Sequence, residues 1–388
     1  MKPTHSRPLR SGYTTGACAA AAAKGATFML LRQEPVAEVS LELPGGDVVI
    51  FQLHGQTFCS DTASCYVIKD AGDDPDITNG AELHATVSLP PHRPASSLEQ
   101  EGAIEISGGT GIGKVTKPGL AVPPGEWAIN PVPRRMIEQA VREALLPAPH
   151  TRSPLPVNVV ISIPDGEERA KKTLNSRLGI IGGLSILGTT GIVRPISAKA
   201  WTDTIDAALD VARACGCQTV VLSTGRTSEL AAQRIGDNRM ILPVPGPTPH
   251  VPALTEEAYI MMGDHVAYAL QACRKRGFNH PIIACQFAKL LKIACGHPNT
   301  HAAASELDLQ TLRKWATAAS LSPHLIDIIS TANTAREVAI SSNYDPALTA
   351  LIIRVAEQEA SRHASGIAAC FWVCAYDGSI AASSEQSP

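Results

Sequence analysis

A chain of 388 residues is too long for one ordinary hydrophobic core and suits two domains, each large enough to bury a stable interior. With 44% hydrophobic residues, 18% charged residues and a net charge of −3, it offers no basic footprint for a nucleic-acid backbone and no polybasic anchor for an anionic membrane. Its ten cysteines form no C-x-x-C pair, so buried reduced thiols are expected rather than a metal or redox site.

The opening "MKPTHSRPLRSG" has no apolar core beside a small-residue cleavage site, which points to the cytoplasm. "ACAAAAAKGATFMLL" (17–31), broken by Lys24 and Gly25, is shorter than the roughly 20 residues of a spanning helix. It reads as an alanine-rich helix of a soluble protein, capped by Thr14 or Thr15. "VAEVSLELPGGDVVIFQL" (36–53) alternates on both sides of Pro44-Gly45-Gly46 and predicts a hairpin. "AELHATVSL" (81–89) is a strand, followed by a loop over 90–102 and the short strand "AIEIS" (103–107). "RRMIEQAVREALL" closes this part as a helix, with Met136, Ile137, Ala140, Val141 and Leu145 on one face.

"LPAPHTRSPLP" (146–156) holds four prolines in eleven residues and marks the domain boundary, giving domains of 1–150 and 151–388. Beyond it, strands and helices alternate. "VNVVISI" precedes "PDGEERAKKTL", where Asp165 and Glu168 have capping-box spacing. The helix "WTDTIDAALDVARAC" precedes "QTVVLST", and a long helix over 255–277, stopped by Gly277, precedes "PIIAC". The fold class expected is an N-terminal mixed α+β domain and a C-terminal α/β domain, its mainly parallel sheet covered by helices. Ligands of such sheets lie at the carboxyl ends of the strands, here "STGRTSE" (223–229), "PVPGPTPH" (243–250) and "QFAK" (286–289). The last hundred residues are mostly helical, ending in an apolar strand within "GIAACFWVCAYDGS".

The segment "ISGGTGIGKVTKPG" (106–119) invites a nucleotide. A phosphate loop needs Ser or Thr after the lysine and a helix beyond it; position 115 is Val, and Pro118 prevents the helix. The same proline opposes a dinucleotide fingerprint, and the acid that often precedes one is Ser107. What remains is a glycine turn between two extended segments. Its reading as a flexible hairpin with solvated lysines competes with an anion-binding concavity of Gly109, Gly111 and Gly113 beside Lys114 and Lys117.

"LGIIGGLSILGTTGIVRP" (178–195) carries five glycines in thirteen residues, with Thr189, Thr190 and then Arg194, and favours a ligand surface over tight structural turns. "KDAGDDPDITNG" (69–80) lacks the spacing of a calcium loop; its carboxylates can accept ribose hydroxyls, pair with an ammonium group or simply be solvated. Arg134 and Arg135 begin a helix, where the dipole disfavours cations, which hints at an anionic partner. Asp264 and His265, placed inside the long helix, and His301, near His297 and Asn299, are candidate proton-transfer groups.

Taken together, "SGYTTGACAAAAAK", "VIKDAGDDPDIT", "ISGGTGIGKVTKPGL", "PGEWAINPVPRRMI", "LGIIGGLSILGTTGIVRPIS" and "MGDHVAYAL" closely resemble the cobalt-precorrin-5B C1-methyltransferases of the anaerobic cobalamin pathway. The resemblance runs from about Arg10 to about Ile353 and implies methyl transfer from S-adenosylmethionine to C1 of the macrocycle, giving cobalt-precorrin-6A and S-adenosylhomocysteine. Cobalt then arrives with the substrate. Two edges depart from the family pattern: "CQFAK" keeps only Lys289 of a G-H-x-G-K-like turn, and "NTHAAASELD" keeps Thr300 and His301 but has Ala302 and Ala303 where Ser and Arg are usual.

These readings combine into named expectations. Asp264, His265 and His301 are catalytic; Asp73, Asp74, Gly188, Thr189, Thr190 and Gly191 hold the donor. Gly109, Gly111, Gly113, Lys114, Lys117, Arg134, Arg135, Arg194 and Arg226 hold the carboxylates of the tetrapyrrole, in a crevice between the domains. The expected partner is this small molecule, not nucleic acid or membrane, with a homo-oligomer left open. The competing reading is a non-catalytic corrinoid-binding or carrier protein.

Overall fold

The structure, a computed structural model, describes residues 9–90, 103–146, 156–195, 197–236, 254–305 and 307–384. Most of the loop expected at 90–102, most of the proline-rich segment and the strand end expected at 243–250 lie outside the described residues. The chain divides into two compact units, Met1–Ser197 and Ala198–Pro388.

In the first unit, strand β1 (Gly12–Tyr13) leads into helix α1 (Thr15–Arg32), whose N-cap Thr14 accepts a hydrogen bond from the Ala17 amide through Oγ1. Ala17 and Ala19 to Ala23 are wholly buried, as befits a helix that is apolar all round. The predicted hairpin is β2 (Glu38–Glu42) and β3 (Val48–Gln52). There follow β4 (His54–Phe58), β5 (Thr62–Ile68), β6 (Glu82–Ser88), β7 (Ile104–Gly108), β8 (Lys114–Val115), α2 (Pro131–Leu145), β9 (Val157–Ser162), α3 (Gly166–Ala170), β10 (Ile180–Ile181) and β11 (Ile192–Val193). Five strands form one sheet in the order β4-β5-β6-β9-β7, antiparallel except for β7 beside β9. Alternate residues, among them Cys65, Val67, Leu83, Ala85, Val159 and Ile161, enter one core with α1 and α2.

Two readings change here. The segment "VNVVISI" is β9, paired between β6 and β7, so it belongs to the first unit, and the units divide after Ser197 rather than at 150. A Val/Ile alternation suits any half-buried strand, and only pairing decides its sheet. The helix of "PDGEERAKKTL" is five residues long; Asp165 makes no side-chain cap bond and pairs instead with Arg169.

The second unit contains α4 (Ala198–Ala214), β12 (Val221–Ser223), α5 (Arg226–Gly236), β13 (Tyr259–Met261), α6 (Val266–Lys275), β14 (Ile282–Gln286) and α7 (Phe287–Ala294). After these come α8 (Leu309–Ala318), α9 (Pro323–Thr331), α10 (Ala335–Ser341), α11 (Pro346–His363), β15 (Cys370–Cys374) and β16 (Ile380–Ser383). The sheet order is β13-β12-β14-β15-β16, with four parallel strands and β16 antiparallel at the edge. Val221, Ala284 and Cys374 pack on one face with Ala231 and Ala232 of α5. Leu222, Ile283 and Phe371 pack on the other with Ile205 of α4, Leu270 of α6, Leu291 of α7 and Ile352 of α11. This is the helix-covered, mainly parallel sheet expected.

The long helix expected over 255–277 is not continuous. A short strand, a turn with Gly263 at φ +59° and a ten-residue helix replace it. Tyr259, Ile260 and Met262 are buried in the sheet layer, which overrides their helical spacing, and Asp264 and His265 therefore stand in a strand-to-helix turn. No helix among the described residues is long and apolar enough to cross a membrane.

Candidate functional site

In the first unit the glycine turn joins β7 to β8, as its Val115 and Pro118 require. A Cβ at Gly111 would stand 1.9 Å from the Ile163 carbonyl oxygen, and Cβ atoms at Gly166 and Gly183 would each stand 2.2 Å from the Gly111 oxygen. Three stretches of backbone thus meet with no room for side chains. The amides of Gly109, Ile112 and Gly113 donate to the carbonyls of Ile161, Gly109 and Leu184. The anion-binding reading of Gly109 and Gly113 is corrected accordingly: their N–H groups are engaged in the fold.

The second glycine cluster also serves packing. The Thr14 and Gly16 amides donate to the Gly191 and Leu187 carbonyls, and the Leu187 amide donates to Thr15 Oγ1 at 2.9 Å. A Cβ on Gly188, at φ +124°, would lie 2.4 Å from Thr14 Cβ. Gly188 is therefore a glycine because the start of α1 presses on it, and at Gly191, φ +81°, a Cβ would lie 2.7 Å from Leu43 Cδ2, so both glycines answer to packing. Thr189 and Thr190 are exposed.

The acidic turn 69–80 clamps the chain before α1. Asp70 pairs with the Arg10 guanidinium, and Asp73 accepts the Arg10 amide through Oδ2 at 2.7 Å. Asp73 so has a structural partner, and Asp74, half-buried, also has one. Lys69 is 2% exposed, and its Nζ lies 2.5 Å from Asp76 Oδ2. Burial tends to raise the Asp76 pKa, but the Lys69 ammonium and the Thr78 hydroxyl and amide outweigh it and hold the carboxyl below its usual range. Sequence reading missed Lys69, although Ala63, Cys65, Val67, Lys69 and Ala71 continue one buried period of two.

The candidate cations of this unit separate into two kinds. Arg134 donates to the Ile106 carbonyl at 3.1 Å and ties α2 to β7, so its role is structural in the first instance. Lys117 donates to the Arg177 carbonyl at 3.3 Å, and its stem lies over Gly179. Lys114, Arg135 and Arg194 are exposed, and Lys114 Nζ lies 4.5 Å from the Trp127 ring centre.

In the second unit the carboxyl ends of the strands gather a polar cluster. Asp264 Oδ1 accepts from Lys289 Nζ, in the first turn of α7, and from Thr300 Oγ1 at 2.7 Å. Lys289 and Lys292 also donate to the Thr300 carbonyl, at 3.0 and 3.2 Å. Burial tends to raise the Asp264 pKa, yet the Lys289 and Thr300 hydrogen bonds and the Lys289 charge hold it below the usual carboxylate range. Asp264 is thus an anion at neutral pH, suited to accepting hydrogen bonds and unsuited to donating a proton. Burial and the neighbouring Lys289 charge lower the Lys292 pKa.

His265 stacks on Trp201, with ring centres 6.4 Å apart, while Trp201 Nε1 donates to the Met262 carbonyl at 3.0 Å. His301 is exposed, accepts from the Ala303 amide through Nδ1 at 3.2 Å and interacts electrostatically with Asp264. The structure so brings Asp264, His301 and the retained Lys289 and Thr300 together across the two segments that depart from the family pattern. Arg226 points its NH1 at Glu229 Oε2, 2.7 Å away, and Glu229 is wholly buried. That neutralising partner counts against Arg226 as a carboxylate anchor. Ser223, Trp201 and Glu229 escaped sequence reading; only the strand-end rule for parallel sheets pointed near Ser223 and Glu229.

Residues 2–195 match the CbiD family, and residues 299–385 match the CbiD C-terminal domain. A curated relative from Pelobacter propionicus, a cobalt-precorrin-5B C(1)-methyltransferase, is 60% identical over 392 residues, covering 98% of this chain and 97% of that protein. A relative of the same name from Geobacter metallireducens is 55% identical, covering 97% of this chain and 99% of its own. A solved structure of a cobalamin biosynthesis protein (cbiD) from Archaeoglobus fulgidus is 28% identical, with a TM-score of 0.38 over 73% of this chain and 78% of that one.

Proposed function

The chain belongs to the CbiD family, and we propose that it catalyses the reaction for which its curated relatives are named, methyl transfer to C1 of cobalt-precorrin-5B. The observation that carries this reading is 60% identity maintained over 98% of the chain. We take the methyl donor to be S-adenosylmethionine and the protein to work in the cytoplasm on a small tetrapyrrole, with cobalt entering as part of that substrate. When bound, S-adenosylmethionine supplies a methyl group already activated toward an electron-rich ring carbon, so no protein nucleophile is required.

The protein's own contribution is then binding, orientation and charge. Lys114, Lys117, Arg135 and Arg194 provide cations for the macrocycle's carboxylates, where charge-assisted hydrogen bonds are the strong ones. The Trp127 ring under Lys114 restricts where that ammonium can sit. Asp264, kept ionised by Lys289 and Thr300, is an acceptor for donor hydroxyls, and His301 beside it is the group available to move a proton. His265, held against Trp201, has a positioning role. Holding two reactants in line is worth about 7–11 kcal/mol at best, enough to account for much of the acceleration of such a transfer.

The test is incubation of the protein with methyl-labelled S-adenosylmethionine and cobalt-precorrin-5B, followed by isolation of the macrocycle. Label at C1 is the expected result. A macrocycle that is retained by the protein but stays unlabelled would instead identify a carrier.

A further inference from the structure

At the carboxyl edge of the second unit's sheet, three features remain that packing does not explain. The first is topological. β13 lies on one side of β12 and β14 on the other. The loop leaving β12 enters α5 on one face, and the loop leaving β14 enters α7 on the opposite face. Where two such loops part, an open parallel sheet has a groove for a ligand.

The second feature is Ser223, the last residue of β12. It is wholly buried, and its Oγ has no hydrogen-bond partner among the described residues. Alternation along the strand turns it to the same side as Val221, toward α5. Buried hydroxyls are nearly always paired, and one left alone destabilises the fold unless a ligand completes it.

The third feature is room. A Cβ on Gly225 would meet no described residue within 4 Å, and Gly225 is only half-buried. Immediately after it begins α5, eleven residues long, whose first amides have no acceptor within the helix. Ser228 Oγ turns back onto Gly225, accepting its N–H at 3.2 Å and donating to its carbonyl at 2.9 Å.

The methyltransferase reading supplies the ligand class, an S-adenosyl group, and the polar groups present suit it. A helix start alone would suit any anion. Here the buried Glu229 carboxyl lies in the first turn of α5, and the Asp264 carboxylate stands at the end of the adjacent strand. Both are ion-paired, Glu229 with Arg226 and Asp264 with Lys289. A zwitterionic amino-acid group attached to an uncharged ribose finds polar partners here: the Ser223 hydroxyl and the first amides of α5 for the amino-acid end, and Asp264 Oδ2 for the ribose diol. The side-chain hydrogen bonds that Asp264 accepts from Lys289 and Thr300 both fall on Oδ1.

We propose that the second unit binds the S-adenosyl donor in this groove, with Ser223 Oγ and the first turn of α5 at the amino-acid end and Asp264 at the ribose. The inference rests on the methyltransferase reading and moves the donor away from the glycine loop 188–191 and Asp73 of the first unit.

The experiment uses the full chain and S-adenosylhomocysteine as probe, titrated calorimetrically with and without the macrocycle, alongside melting of the ligand-free protein. Ser223→Ala should melt higher than wild type, because an unpaired hydroxyl is removed, yet bind the probe about three- to tenfold more weakly. Gly225→Leu should melt as wild type and bind at least about tenfold more weakly, since its side chain fills the groove. Photocrosslinking of labelled donor should mark peptides within 218–236 or 259–290. If wild type binds the probe while both variants bind equally well, or if the label falls within residues 9–195, this location is overturned and the methyltransferase reading stands. If wild type binds no probe with or without the macrocycle, the inference fails as well; continued transfer of label to C1 would then show that the functional reading survives it.

Discussion

Glycine does opposite things in the two units. Gly111, Gly166 and Gly183 are crossings where backbone passes over backbone, with a neighbouring carbonyl oxygen within 2.2 Å of each absent Cβ. Gly225, two residues beyond β12, has no described residue within 4 Å of its absent Cβ. The first unit is the richer in glycine motifs, yet the amides of Gly109 and Gly113 within them are engaged by other backbone groups. The second unit has the sparser sequence signal but holds, at its strand ends, a buried hydroxyl unpaired among the described residues and an ionised carboxylate. Glycine density therefore measures how closely chains approach one another, whereas groups left unsatisfied by the fold mark where a ligand belongs.

The sharpest way to break this contrast is to add one methyl group to each kind of glycine. Gly111→Ala combines a positive φ with a clash against the Ile163 carbonyl, and should cost more than about 3 kcal/mol in urea unfolding of the first unit. Gly225→Ala should change stability by less than about 0.5 kcal/mol. Equal effects at the two positions would sink the comparison.

A second test concerns charge buried for folding against charge held for binding. Lys69→Met strands Asp76 without its ammonium and should lose roughly 3 kcal/mol at neutral pH. Because the folded Asp76 pKa is depressed, the pair's contribution is complete above the unfolded value, near pH 4, and fades as pH falls through the lower folded value. The stability gap between variant and wild type should accordingly narrow below about pH 4 in acid titrations followed by circular dichroism. A gap that widens with acid would contradict the assignment.

Asp264→Asn should lower kcat/KM for methyl transfer about 10- to 100-fold through lost positioning. In wild type, the depressed Asp264 pKa predicts that kcat/KM shows no Asp264 inflection through the neutral range. An inflection there that vanishes in Asp264→Asn would show that this carboxyl titrates near neutrality after all.

The smallest effects are expected at the exposed cations. Lys114→Ala or Arg194→Ala should raise KM for the macrocycle about three- to tenfold with kcat nearly unchanged, and less at high salt. A fall in kcat without a change in KM would assign these residues to another step.

Much of this protein was legible residue by residue. The alanine run at 17–23 identified a helix, and Pro44-Gly45-Gly46 identified a hairpin. Val115 and Pro118 by themselves excluded a phosphate loop. The rest was overridden by packing. Tyr259, Ile260 and Met261 matched a helical period but were drawn into the parallel sheet, and the strand over 157–162 suited either unit until its partners were known. Lys69 was legible in principle as the next inward position after Val67, but a lysine is rarely expected there.

The sequence by itself determined the kinds of element, the two-part chain and the family, because propensity, periodicity and ordered motifs are local properties of the polymer. Only the tertiary structure decided which groups share a site. Asp264 meets Lys289 and Thr300 across 25 and 36 residues of chain, and Ser223 is left unpaired among the described residues where β13 and β14 take opposite sides of β12. Those relations arise from strand order and the two-sided covering of the sheet, which no local pattern encodes.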